Sequence, residues 1–286
     1  MTELDRPARR QDRFRMNLPR RLLSTLVAGA LTGTVQGAAA PGARAADPWA
    51  DGAPGTVGKI IWELDDNGRL GVCSGAIVDA PGGSVIATAA HCVSSPESPQ
   101  PPAEVWFVPG YDHGLSTYQR DGWRVLAFHT PPQWQPEPGG DIAGLLPHDY
   151  ALLTVEEKEG RTIQQTHGAN TLAFAPVPDG KDVDALGYPA AAPYDGESLR
   201  ACSGATRVLD GPDAPAANVG GLLLEDCDLT EGASGGPWLQ DYDPATGSGT
   251  LVAVMSAGTG TGRVVGRPFP EEARELLARA ASADAS

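Results

Sequence analysis

A single serine stands in "DLTEGASGGPWL", residues 228–239, among glycines and directly before a proline and a tryptophan. A serine hydroxyl is a weak nucleophile until a neighbouring base takes its proton, and that base needs a third group to hold it. Five histidines are available. His91 closes the strand-like run "SVIATAAHC" and is followed at once by Cys92, so a disulfide there would fix its imidazole. "HDYALLTV" supplies Asp149 at the head of an apolar strand, where an unpaired charge is costly. Ser234, His91 and Asp149 thus offer a nucleophile, a general base and an orienting acid. His148 reads as an exposed loop histidine, and His113, His129 and His167 lie in polar or proline-rich loops, so none is given a catalytic role. The chain has no C-x-x-C and no H-E-x-x-H, and no metal or cofactor is expected. "DDNG" at 65–68 suits a solvated hairpin tip better than a calcium site.

The elements that must carry these residues read as β. Glycine (36) and proline (26) are frequent, and they break the chain into short apolar runs rich in β-branched residues. "GKIIWEL", "GVCSGAIVDA" and "SVIATAA" are separated by "DDNG" and "PGG", which read as hairpin turns. Further runs, from "AEVWFV" through "DYALLTV" to "TLVAVMSAG", continue the pattern and predict an all-β barrel or sandwich. Only "FPEEARELLARAASA" reads as a helix, with Pro270 first, Glu271 and Glu272 at its positive end, and Ala273, Leu276, Leu277 and Ala280 on one face.

The first 45 residues read as an export signal rather than as fold. Arginines crowd residues 6–21, "LLSTLVAGALTG" follows, and Ala43-Arg44-Ala45 fits an A-x-A cleavage pattern. The apolar run is shorter than the roughly 20 residues of a membrane span. The paired arginines leave general and twin-arginine export both open. Residues 1–45 hold eight of the 21 basic and three of the 36 acidic residues, so the remainder carries a charge near −20. Such a surface argues against nucleic acid or anionic membrane as a partner. All four cysteines lie in the exported part, and their even number implies two disulfides with three pairings open.

"TAAHC", "DYALL" and "GASGGP", in that order, resemble the trypsin/chymotrypsin-like serine peptidases, and "GYPA" with "CDLTEGASGGPWL" is similar to their bacterial, actinobacterial-type secreted members. The resemblance runs over about residues 56–270. It implies two antiparallel six-stranded β-barrels with the active site in the cleft between them. The expected layout is a signal over 1–45, a short arm or pro-segment over 46–55, a first barrel over 56–160, a crossover over 161–170, and a second barrel with the helix over 171–286. It implies a secreted, monomeric endopeptidase acting on proteins or peptides through an acyl-enzyme, with a proteinaceous inhibitor as a further partner. His91, Asp149 and Ser234 become the catalytic triad, and the N–H groups of Gly232 and Ser234 the oxyanion hole. Gly235 and Gly236 are expected to leave room for substrate backbone. The resemblance pairs Cys73 with Cys92 and Cys202 with Cys227. It makes Ser256 and Gly258 part of a substrate-binding strand, and Asp228 an acid selecting Lys or Arg. Three residues depart from the relatives' patterns: Thr230 stands where trypsins have a cysteine, Met255 where acid-selective relatives have histidine, and Ala233 where zymogens have an activation aspartate. N-terminal salt-bridge activation is therefore expected to be absent. A catalytically silent binding protein on the same fold is the competing reading; an ester hydrolase of the α/β type is disfavoured by the order His, Asp, Ser.

Overall fold

Alternation along the apolar runs decides which core each side chain enters. The computed structural model describes residues 45–50, 52–65, 67–113, 118–211, 214–258 and 262–283; the expected signal, apart from Ala45, lies outside them. After a two-residue strand β1 (Asp47–Pro48), six strands close a barrel in the order β2-β3-β4-β7-β6-β5. They are β2 (Val57–Glu63), β3 (Leu70–Val78), β4 (Val85–Thr88), β5 (Val105–Pro109), β6 (Trp123–His129) and β7 (Ala151–Val155). Successive side chains on a strand point to opposite faces. One parity, with Ile60, Ile77, Ile86, Phe107 and Leu153, fills the barrel. The other, with Val57, Ile61, Val78, Val85 and Leu152, packs with Leu186, Tyr188, Leu239 and Leu251 of the second half. Both faces are buried, so these strands read as continuous apolar runs.

The second half comprises β8 (Thr171–Leu172), β9 (Asp182–Gly187), β10 (Arg200–Ala205), β11 (Arg207–Val208), β12 (Leu222–Glu225), β13 (Pro237–Asp243), β14 (Ser248–Gly258) and β15 (Arg263–Pro268). Hydrogen bonds order them β1-β10-β9-β13-β14-β15-β12-β11, with β8 alongside β14. Six strands of this sheet curl around Trp238, Val252, Leu224 and Val264, but their ladder stays open, where a second closed barrel was expected. The physical reason lies at the two edges. β10 is already paired with β1, and β12 with β11, so neither has its whole edge free for the other. Side chains bring these edges together instead: Cys202 of β10 is bonded to Cys227 just beyond β12, and a Cβ on Gly204 would lie 3.1 Å from Leu224.

Among the described residues there are three α-helices: a single turn α1 (Tyr118–Asp121), α2 (Ile163–His167) and α3 (Ala273–Ser282). No helix was expected in the crossover, yet α2 forms there, started by a reciprocal capping box of Thr162 and Gln165. The C-terminal helix starts at Ala273 rather than Pro270, and it buries Ala273, Leu276 and Ala280. Thr154 Oγ1 donates to Ala280 O at 2.9 Å and ties α3 to β7. Among the described residues, no helix is long and apolar enough to cross a membrane.

Residues 46–50, within the stretch expected to be a short arm or pro-segment, lie against the second half. Asp47 and Pro48 pair with Ala201 and Arg200, Trp49 N donates to Leu199 O at 3.2 Å, and Trp49 meets Tyr242 edge-on at 5.0 Å.

Candidate active site

His91 sits in a 3-10 turn, Ala90–Cys92, at the end of β4. The Cys73–Cys92 disulfide fastens that turn to β3, and the second disulfide joins Cys202 to Cys227. Both pairings agree with those implied by the resemblance. Donor atoms of Cys73, His91 and Cys92 cluster closely enough for a metal, but the disulfide takes both sulfurs out of ligation. Asp149 is fully buried at the head of β7. Its Oδ2 lies 2.8 Å from His91 Nδ1, and its Oδ1 accepts the His91 backbone N–H at 2.9 Å. Ser256 Oγ donates to Oδ2 at 2.5 Å. The carboxylate thus fixes both the ring and the backbone of one histidine, which leaves Nε2 for another partner.

Burial penalises the charge on both members of this pair. For His91 the charge and hydrogen bond of Asp149 outweigh it, and the pKa is raised above 6.5. For Asp149 the His91 charge, with hydrogen bonds from His91 and Ser256, holds it below the usual carboxylate range. Only the neutral imidazole can take a proton. Activity on a neutral substrate should therefore rise with pH through an ionisation above 6.5, and a pH profile of kcat/KM with its lower midpoint under 6.5 would contradict this pairing.

Ser234 is half-buried on the turn between β12 and β13. Gly232 and Gly235 hold φ of 96° and 77°, in the left-handed region that favours glycine. The turn is anchored from both sides. Gly235 N donates to Met255 O at 2.7 Å, and Met255 N to Gly236 O at 2.8 Å, which joins it to β14. Ser74 fastens it to the first barrel: its N–H donates to Ser234 O at 2.7 Å and its hydroxyl to Gly232 O at 2.8 Å. The same hydroxyl accepts from Tyr188 N, and Thr88 Oγ1 donates to Ser74 O. A Cβ on Gly235 would collide with Thr88 and Ala89, three and two residues before His91. Those contacts bring the serine turn against the histidine turn.

Glu231 O accepts from Ala190 N at 2.6 Å. In a trans peptide the carbonyl and the following N–H point in opposite directions, so the Gly232 N–H is turned away from Ala190. Among the described residues neither that N–H nor that of Ser234 is used within the protein. Two donors on one tight turn beside a serine can hold a developing oxyanion. Ala233, which has no carboxylate, is fully buried against Gly187.

The remaining expected residues fall differently. Ser256, expected on a substrate-binding strand, uses its hydroxyl on Asp149 and sits at a register break where Met255 faces Gly266 and Ala257 faces Val265. Its backbone and that of Gly258 lie on the stretch of β14 that runs beyond the β13 ladder. Asp228 was expected at the base of a specificity pocket. Its Oδ1 instead accepts from Ala46 N at 2.7 Å and Tyr194 Oη at 2.6 Å. Ser74 and Tyr194 escaped the sequence reading; the one available signal for Ser74 was its place directly after a bridging cysteine. Two of the other histidines serve packing and polar contacts: His129 Nε2 lies 3.0 Å from Thr154 Oγ1, and His167 meets Trp123 edge-on.

Residues 73–253, more than half of the chain, match the trypsin-like peptidase domain. The chain is similar to the protease Anisep from Arthrobacter nicotinovorans, at 28% identity and a TM-score of 0.65, over 80% of this chain and 97% of that one. It is similar to AL20, a thermostable serine protease from an extremophilic microorganism, at 30% identity and a TM-score of 0.65 over the same shares. A Glu endopeptidase shares the fold at 19% identity and a TM-score of 0.60, over 85% of this chain and 98% of that one. No curated protein sequence matches the chain. With the fold, the paired His91 and Asp149 and the serine turn in place, the chain belongs to the trypsin-like peptidase family and is a serine-type endopeptidase.

Proposed function

We propose that this is an exported endopeptidase that cleaves peptide bonds through Ser234, His91 and Asp149. The observation that carries the reading is the buried Asp149 carboxylate, which holds His91 by ring and backbone while the serine turn packs on the histidine turn. Ser234 Oγ attacks the scissile carbonyl as His91 Nε2 takes its proton. The tetrahedral oxygen is held by the N–H groups of Gly232 and Ser234. His91 then protonates the leaving amine, and a water activated in the same way hydrolyses the acyl-enzyme. Extended substrate pairs with β14 around Ser256 and Gly258, and a proteinaceous inhibitor would use the same edge. One chain supplies every group named here, and the enzyme is proposed to act as a monomer. Export is supported by the leader sequence and two disulfides. The Asp228 carboxylate already has two partners, so no Lys/Arg preference is assigned to it.

The test is a fluorophosphonate probe applied to the secreted protein beside Ser234→Ala, read by intact mass. The wild type should gain one adduct and the variant none. A folded wild type that gains none would remove the catalytic reading and leave a binding protein on a peptidase fold.

A further inference from the structure

Three atoms from distant parts of the chain meet in a closed triangle beside the nucleophile loop. Ala46 N lies 2.7 Å from both Tyr194 Oη and Asp228 Oδ1, and those two oxygens are 2.6 Å apart. We propose that cleavage after Ala45 leaves the α-ammonium of Ala46 as the resident partner of Asp228 and Tyr194, so that export processing fills this acid and fixes the loop leading to Ser234. The inference rests on the exported-peptidase reading above.

Hydrogen counting favours an amine. A backbone amide carries one hydrogen and must share it between these two acceptors in a bifurcated bond. Here two oxygens sit at the same short distance from one nitrogen, and the tyrosine hydroxyl, which donates to Asp228, has only its lone pairs left for Ala46. An ammonium has three hydrogens and satisfies both oxygens at once. Charge points the same way. Among the described residues, no Lys, Arg or His side chain forms an ion pair with Asp228, and Arg200 instead lies over the Tyr194 ring at 5.5 Å. The processing step balances: water adds across the Ala45–Ala46 amide under a signal peptidase. Ala45 leaves as the carboxylate, and the Ala46 nitrogen takes a proton.

Placement is fixed before and after that nitrogen. Ala45 is exposed while Ala46 is 4% exposed, so the chain enters the protein at the scissile bond. Pairing of Asp47 and Pro48 with β10 then delivers the nitrogen to one position. Asp228 follows Cys227, which is bonded to Cys202 of the same β10. Tyr194 belongs to the loop whose Ala190 N–H holds Glu231 O and whose Ala191 O accepts from Thr230 Oγ1 at 3.1 Å. A cation at the triangle therefore clips together the two loops that set the Gly232 N–H. Ala233 supplies no carboxylate for that purpose; Asp228 does.

The experiment exports the full chain as wild type, as Asp228→Asn, as Tyr194→Phe, and with a glycine inserted between Ala45 and Ala46. Intact mass, thermal midpoint and the rate of fluorophosphonate labelling are read on each. The wild-type mass should begin at Ala46. Asp228→Asn and the inserted glycine should each lower the midpoint and slow labelling about tenfold, and their combination should be no worse than either alone. Tyr194→Phe should act in the same direction and decides the matter if Asp228→Asn does not fold. The ratio of rates on peptides with Arg or Leu before the cut should not move in Asp228→Asn. A mature chain beginning elsewhere, additive effects, or loss of an Arg preference in Asp228→Asn would overturn the proposal. Failure of the wild type to label would instead remove the catalytic reading, and the thermal midpoints would still decide the ion pair.

Discussion

Asp149→Asn should lower kcat about 10⁴-fold while leaving the fold intact. The size follows from which way the new amide must face. Asp149 Oδ1 accepts the His91 backbone N–H, so an amide NH₂ turned there would oppose donor with donor. The amide oxygen therefore takes the Oδ1 place, and the NH₂ faces His91 Nδ1. Nδ1 must then accept, which puts the ring proton on Nε2, where it cannot receive one from Ser234. A loss of 10⁴ corresponds to about 5.5 kcal/mol in the barrier. Ser256→Ala is the graded control. It removes one donor to an ionised group, worth about 1.5–3 kcal/mol, so one to two orders of magnitude should go. Kinetics at the plateau of the pH profile measure both. A loss under about tenfold for Asp149→Asn would mean that His91 does not depend on this carboxylate for its tautomer.

The triad candidates were legible because each sits beside a local signal that needs no tertiary information. His91 adjoins a cysteine at the end of an apolar run, Asp149 heads an apolar strand, and Ser234 lies among glycines before a proline. Contacts between remote parts of the chain leave no such local mark. Ser74 looks like any strand serine, yet it bonds to Ser234 and Gly232, some 160 positions away. The docking of residues 46–50 was hidden for the same reason, because "ADPWADGAPG" has the composition of a free arm. The open ladder of the second half depends on which edges β1 and β11 occupy, and two-residue strands carry no periodicity. The glycines were legible as special but not for the right cause. Gly235 and Gly236 were expected to make room for substrate, whereas the space beside each is filled by the protein's own atoms.

That cause predicts a large stability effect. Gly235→Ala should cost about 3–5 kcal/mol, combining left-handed strain with an interface clash. A Cβ there would lie 2.0 Å from Thr88 Oγ1, 2.5 Å from Ser74 O and 2.8 Å from Ala89 N, with φ at 77°. Two of those atoms are backbone and the third is buried, so the halves of the molecule must part to admit one methyl. Two further glycines separate the contributions. Gly68 has a similar φ of 78° but open space, so Gly68→Ala should cost about 1 kcal/mol from strain alone. Gly236 would set its Cβ 2.0 Å from Leu186 O without a left-handed φ, so Gly236→Ala measures the clash alone. Denaturant unfolding of the three variants gives the energies, and fluorophosphonate labelling shows whether the serine turn survives. If Gly235→Ala costs no more than Gly68→Ala, the serine turn does not press on β4, and no such contact sets Ser234 against His91. If it costs the larger amount and labelling falls with it, the same methyl has separated the nucleophile from its base. Stability and catalysis at this turn would then rest on one contact, that of Gly235 with the strand end that carries His91.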